Sequence, residues 1–152
     1  MRAFPTIALF LVLTLSAFRT TLHAQDGQPA ARVAYQVIVH PNHASDTVGR
    51  LFLQDAFLKK ITIWPRGEVI HPADLTPNSP VRRQFTEDVL KRSVDAVKSY
   101  WQQRIFSGRE VPPPEFGTDD VVVSYVLKHD GAVGYVSANA DLKGSKVLTI
   151  AW

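Results

Sequence analysis

The sequence predicts an α/β domain with a mixed sheet flanked by helices, and three observations carry that expectation. Arg32–Val39 alternates, with Val33, Tyr35, Val37 and Val39 on one face, as a half-buried strand requires. Two helix starts are well marked, Ser79 followed by Pro80 and Ser93 followed closely by the acidic Asp95. Ala132–Ser137 and Lys146–Ile150 then read as strands, so strands and helices alternate along the chain.

The first residues read as a targeting segment rather than as part of the fold. Met1-Arg2 is a short positive start, and Phe4–Ala17 is apolar except for Pro5, Thr6, Thr14 and Ser16. Leu22-His23-Ala24 offers a small-residue cleavage site, which predicts a signal peptide over 1–24, a cut after Ala17 being the alternative. An apolar run of about 14 residues falls short of the roughly 20 that a membrane span needs. Residues 25–31 (QDGQPAA) read as a linker and 32–152 as one domain.

Charge and cysteine content exclude several classes. Of 17 Lys and Arg, Arg2 and Arg19 leave with the signal segment, so 15 bases face 14 acids. That balance gives no basis for a nucleic-acid partner or for an anionic membrane surface after cleavage. The chain has no cysteine, which rules out disulfides, thiolate metal sites, a cysteine nucleophile and a lipidated N-terminal cysteine.

Between these ends the elements follow in order. His40-Pro41-Asn42-His43 ends the first strand, and Ser45 or Asp46 is expected to cap a helix carrying Val48, Leu51, Phe52 and Asp55 as far as Phe57-Leu58. Lys60–Trp64 reads as a strand, Pro65-Arg66-Gly67 as a turn, and Val69-Ile70 as a short strand before a polar turn. Behind Ser79, the positions Val81, Phe85 and Val89 recur at spacing four and share a helix face. Val94, Val97, Trp101 and Ile105 form the stripe of a second helix that ends before Ser107-Gly108, and Pro112–Pro114 is a stiff connector. Thr118–Leu127 is divided: its valines favour a strand, whereas a Thr cap, an acidic first turn and a closing Gly131 favour a helix.

No constellation for catalysis or metal binding emerges. His40 and His43 flank a proline that forbids a helix, no carboxylate in that run completes a ligand set, and His71 and His129 stand alone in sequence. Glu87-Asp88 and Asp119-Asp120 are adjacent on helices, so each pair points about 100° apart and forms no dyad. No catalytic residue, metal or cofactor is assigned, and an enzyme is the least supported class. The aromatics Trp64, Tyr100, Trp101, Phe106 and Tyr135 are expected to pack in the core. The richest stretch is Val69–Phe85, a strand turning through polar residues into a helix N-terminus, the arrangement that holds small anions. Its candidate anion-binding residues are Thr76, Asn78, Ser79 and Arg82. Arg82 and Arg83 lie in the first turn, where a cation opposes the helix dipole unless it serves a ligand.

Three segments together resemble the phosphate-binding family of periplasmic solute-binding proteins, specifically their second lobe. Asp55–Trp64 is similar to the family's IFxGKIxxW, Val69–Phe85 to its anion-holding turn, and Gly131–Val136 to GAIGYV. Tyr100–Pro114 further resembles YWQQxIFSGxxVPPP of short, single-lobe relatives described as phosphate ABC transporter substrate-binding proteins. The resemblance implies one lobe of a type II periplasmic-binding-protein-like fold, and it decides for a helix at Thr118–Leu127. It also implies a periplasmic location and a phosphate or other small oxyanion as ligand. An ABC transporter permease would be its partner. The competing reading, from a lobe that lacks its other half, is a periplasmic protein-interaction or sensory module that has lost ligand binding, with a sensor protein as partner, and a homodimer of two facing lobes is a third. The family turn reads R-S-D-G-S-G-T, and here Leu75, Pro80 and Val81 stand where its arginine, second glycine and threonine are expected. Each lost charge-assisted hydrogen bond is worth about 1.5–3 kcal/mol, so a retained site is a weakened one.

Overall fold

The computed structural model describes residues 31–152. The expected signal peptide and nearly all of the expected linker lie outside the described residues. Within them the order is β1 (Tyr35–Val39), β2 (Thr47–Gly49), α1 (Arg50–Phe57), β3 (His71–Leu75) and α2 (Pro80–Phe85). A π-helical turn (Thr86–Leu90) follows, then α3 (Val94–Phe106), β4 (Glu115–Phe116), α4 (Asp119–Lys128), β5 (Ala132–Ser137) and β6 (Lys146–Ala151).

The six strands form one mixed sheet in the order β2-β6-β1-β5-β3-β4. β1 runs antiparallel to both its neighbours, with Val37 opposite Tyr135 on β5 and Leu148 on β6. β3 runs parallel to β5, with His71 opposite Ala132, and to the two-residue β4. Side chains alternate along β5, so Gly134 and Tyr135 face opposite sides of the sheet. On the Tyr135 side, Phe85 stacks on its ring at 3.8 Å and 8°, and Phe57 lies 4.8 Å from Phe85. On the Gly134 side, α4 lays Val122 and Val126 against the strand. Helices therefore cover both faces, as the sequence predicts.

Local chemistry explains most element boundaries. The caps expected at Ser79 and Ser93 form, each side chain accepting from a backbone N–H three residues on, at Arg82 (3.3 Å) and Ala96 (3.1 Å). Thr118 caps α4 in the same way through Val121 (3.4 Å), so Thr118–Leu127 is helical despite its valines. Val81, Phe85 and Val89 are all buried. The hydrogen bonding behind Phe85 nevertheless widens into a π-turn that ends at a left-handed Lys91. Its last carbonyls are not orphaned, because Arg50 Nη1 donates to Val89 O (2.8 Å) and Gln54 Nε2 to Leu90 O (3.0 Å).

Four expectations are corrected. The third strand is His71–Leu75 rather than Val69-Ile70. Pro72 suits it because β3 alternates its donors: His71 N–H bonds back toward Gly131, whereas Asp74 N–H bonds toward Pro114 on the β4 side. Pro72 sits on that second side before β4 begins, where no acceptor waits for a donor. Lys60–Trp64 is not a strand but one arm of a tight turn with a single bridge between Ile63 and Val69. The first helix starts at Arg50 behind an uncapped Gly49, while Ser45 bonds Thr47 in its own turn and Asp46 pairs with Lys146. Along α3 only Val97 and Trp101 are buried; Ile105 is exposed, and Phe106 is 91% exposed rather than packed.

Two glycines mark tight approaches. A Cβ on Gly131 would lie 1.8 Å from the Val69 carbonyl oxygen, and one on Gly134 would lie 2.7 Å from Val122 Cγ1. Gly134→Ala should cost about 1–3 kcal/mol of unfolding free energy, since the obstacle is a side chain. Gly131→Ala should cost more, because backbone must move. Urea titration of both variants checks this, and wild-type stability in either refutes the packing described.

Candidate functional site

The turn Thr76–Ser79 leaves the C-terminal end of β3 and feeds α2. Ser79 N–H donates to Thr76 O (3.0 Å), closing the turn, and Thr76 N–H donates to Phe116 O (3.0 Å), fixing it to the strand edge. Pro80 occupies the first helical position, where its missing N–H is no loss. Thr76 and Ser79 are half-buried and Asn78 is exposed. Three of the four candidate residues thus lie together on one turn at one end of the sheet.

Arg82 follows on α2, but its side chain turns inward. It is 3% exposed and sits in a polar cluster beneath the turn. Nη2 meets Asp74 Oδ2 at 3.1 Å, and Nη1 donates to Glu115 Oε1 at 2.6 Å and to the Leu75 carbonyl. Arg82 Nε is buried without a hydrogen-bond partner. The exposed cation in this first turn is Arg83. The mild conflict between Arg82 and the helix dipole is therefore offset by two carboxylates rather than by solvent.

Asp74 is the centre of this cluster. Its Oδ1 accepts from the Tyr135 hydroxyl, and from Leu75 N–H at 3.0 Å. Burial pushes its carboxyl up to about 6, although Arg82 and Tyr135 pull in the other direction. Burial, and then the Asp74 charge, raise the Tyr135 hydroxyl well above its ordinary range, so Tyr135 remains a donor. Asp74, Glu115 and Tyr135 were not legible as partners in the sequence. The available signals were Tyr135, whose hydroxyl needs a partner when its strand is buried, and a charge one residue from the buried Val81.

Elsewhere, His71 and His129 are not isolated, their rings lying 5.7 Å apart with Tyr125 4.3 Å from His129. Among the described residues no group of three or more His, Asp or Glu is arranged to hold a metal. No helix of the described residues is long and apolar enough to cross a membrane.

With this geometry in place, solved structures give a clear comparison. An ABC-type phosphate transport receptor from Vibrio cholerae superposes with a TM-score of 0.59 at 16% identity, covering 78% of this chain and 46% of that one. The described residues share the fold of part of that receptor, a mixed sheet flanked by helices. A Clostridium perfringens protein described as a phosphate ABC transporter substrate-binding protein, solved with bound phosphate, gives 0.60 at 19%, covering 78% and 45%. PstS from Borrelia burgdorferi gives 0.59 at 12%, covering 78% and 47%. The chain thus spans less than half the length of these proteins. No protein-family model matches the sequence, and no curated protein matches it.

The Asp74 carboxyl yields a signed prediction. Folded, it keeps its proton up to about pH 6, whereas the ordinary value is 3.8. The folded state therefore binds more protons between those values, and stability from this group falls as pH rises from about 4 to about 6. Wild type should lose stability relative to Asp74→Asn across that window in urea titrations. A difference independent of pH would refute the shift. Arg82→Met should cost about 3–5 kcal/mol at pH 7, because it strands a buried carboxylate.

Proposed function

We propose that this chain is an exported, solute-binding-like protein with a reduced site for phosphate or another small oxyanion at the turn ahead of α2. The observation that supports it is the strand–turn–helix unit capped by Ser79, in a fold shared with phosphate receptors. Ser79 accepts from Arg82 N–H through a lone pair, so its hydroxyl proton stays available to a ligand. The Thr76 hydroxyl and the exposed Asn78 amide are the neighbouring donors, and Arg82 supplies charge from beneath. With Leu75, Pro80 and Val81 adding no side-chain donor, affinity is weak, in the millimolar range of about 4 kcal/mol.

Because Arg82 is shared by two carboxylates at neutral pH, protonating Asp74 releases part of its charge. Sulfate keeps its charge over this range and is the cleaner probe. Calorimetry should show sulfate binding severalfold tighter at pH 5 than at pH 7.5, with the change lost in Asp74→Asn. Ser79→Ala should weaken binding at both pH values. No heat at millimolar sulfate or phosphate refutes the site.

Export rests on Met1–Ala24, with the periplasm as destination and an ABC permease as the partner the fold suggests. N-terminal sequencing of protein recovered from the periplasm should read from Gln25.

A second reading is a protein-interaction or sensory module, and a specific feature favours it. Phe106 is 91% exposed, with Ile105 at 50% beside it on α3 and Val111 at 65% just beyond. Apolar side chains so grouped in sequence commonly belong to a partner surface. Light scattering distinguishes self-association at this patch, which Phe106→Asp should abolish, from a monomer that binds anions.

A further inference from the structure

A pocket lies at the opposite end of the parallel strands β3 and β5 from the Ser79 turn. It encloses about 240 Å³ between the loop after β1, the start of α1 and the turn Trp64–Glu68. Its floor is aromatic and fixed. Trp64 is 4% exposed and donates its indole N–H to Gly131 O at 3.0 Å, just before β5. Phe52 stacks on it at 5.2 Å and 23°, and the His43 ring lies 4.5 Å away. Lys146 holds the His43 loop in place, donating to His43 O at 2.9 Å and pairing with Asp46 at 2.6 Å. Burial, and then the nearby Lys146 charge, hold the His43 imidazole below its ordinary range, which keeps this wall neutral.

The mouth has the opposite character. Arg66 and Glu68 both line it and are exposed, and among the described residues neither has an ion-pair partner. They sit two residues apart on a turn closed by Trp64 N–H to Glu68 O (2.8 Å) and Gly67 N–H to Trp64 O (2.9 Å). Gly67 has φ +101°, which holds the turn in a form other residues rarely adopt. An apolar cup with one cation and one carboxylate at its lip complements a compact molecule with an apolar group, a carboxylate and an ammonium. We propose that this pocket binds a free α-amino acid with an aromatic or branched side chain. The side chain rests on Trp64 and Phe52, its carboxylate on Arg66 and its ammonium on Glu68.

The site is independent of the oxyanion reading, and the test separates them. L-Phenylalanine is titrated into the ¹⁵N-labelled full chain while the Trp64 indole N–H resonance is followed. A saturable shift in the millimolar range is expected, with Arg66→Ala weakening binding about tenfold through loss of a charge-assisted contact. Glycine, which lacks the apolar group, and N-acetyl-L-phenylalaninamide, which lacks both charges, should bind at least about tenfold more weakly by the same reasoning. Ser79→Ala should leave the titration unchanged. The proposal is overturned by the absence of a saturable shift, by equal binding of the blocked amide, by an Arg66→Ala variant that binds like wild type, or by loss of binding in Ser79→Ala.

Discussion

The Arg82 guanidinium is the contact through which the end of the sheet beside the Thr76–Ser79 turn is held together. Its fork joins Asp74 and the Leu75 carbonyl on β3 to Glu115 on β4 while its own backbone belongs to α2. Asp74 extends the network to Tyr135 on β5, whose ring in turn stacks on Phe85 of α2. The adjacent β3 and α2 are thereby registered with β4 and β5, which lie far along the chain, at one point. A buried ion pair of this kind is weak evidence for net stability, since desolvation offsets much of the attraction. Its geometric effect is firmer. β4 has only two residues in register with β3, and Glu115 gives that short edge strand a side-chain anchor as well.

What the sequence made legible was what is decided locally. The caps at Ser79, Ser93 and Thr118 each depend on one side chain and an N–H three residues away, and all three form. β1, β5 and β6 carry apolar or alternating patterns that stand out against their flanks, and they pair as one unit. The misreadings share a different cause. His71–Leu75 contains a proline and an aspartate, so it reads as a turn; it is a strand because β5 supplies partners on one side and Pro72 faces the other. Ser45 looks like a cap, yet nothing local reveals that β2 would pair with the last strand and delay the helix to Arg50.

The site follows the same division. Thr76, Asn78 and Ser79 could be placed together because four consecutive residues form a single turn. Arg82 could not, because its orientation is set by Glu115, 33 residues on, and by the acid at the end of β3. A charge in a first helical turn reads as surface unless its counter-ions are known. Here one counter-ion, Asp74, lies on β3 and the other, Glu115, comes from an edge strand that the Pro112–Pro114 connector delivers to β3, with Pro114 O accepting from Asp74 N–H.

This internal use of Arg82 bears on what Ser79 itself signifies. An N-cap needs only a lone pair directed at the helix, and its removal costs about 1 kcal/mol whether or not any ligand visits the turn. Ser79 would therefore be worth keeping for the fold alone. The residues without such structural duty are the informative ones. Asn78 is exposed and makes no side-chain hydrogen bond among the described residues, and the Thr76 side chain makes none either. Their side chains contribute nothing visible to the turn's closure, which backbone groups of Thr76 and Ser79 already provide. If the turn acts on a ligand, these two side chains carry the part of its chemistry that folding does not explain.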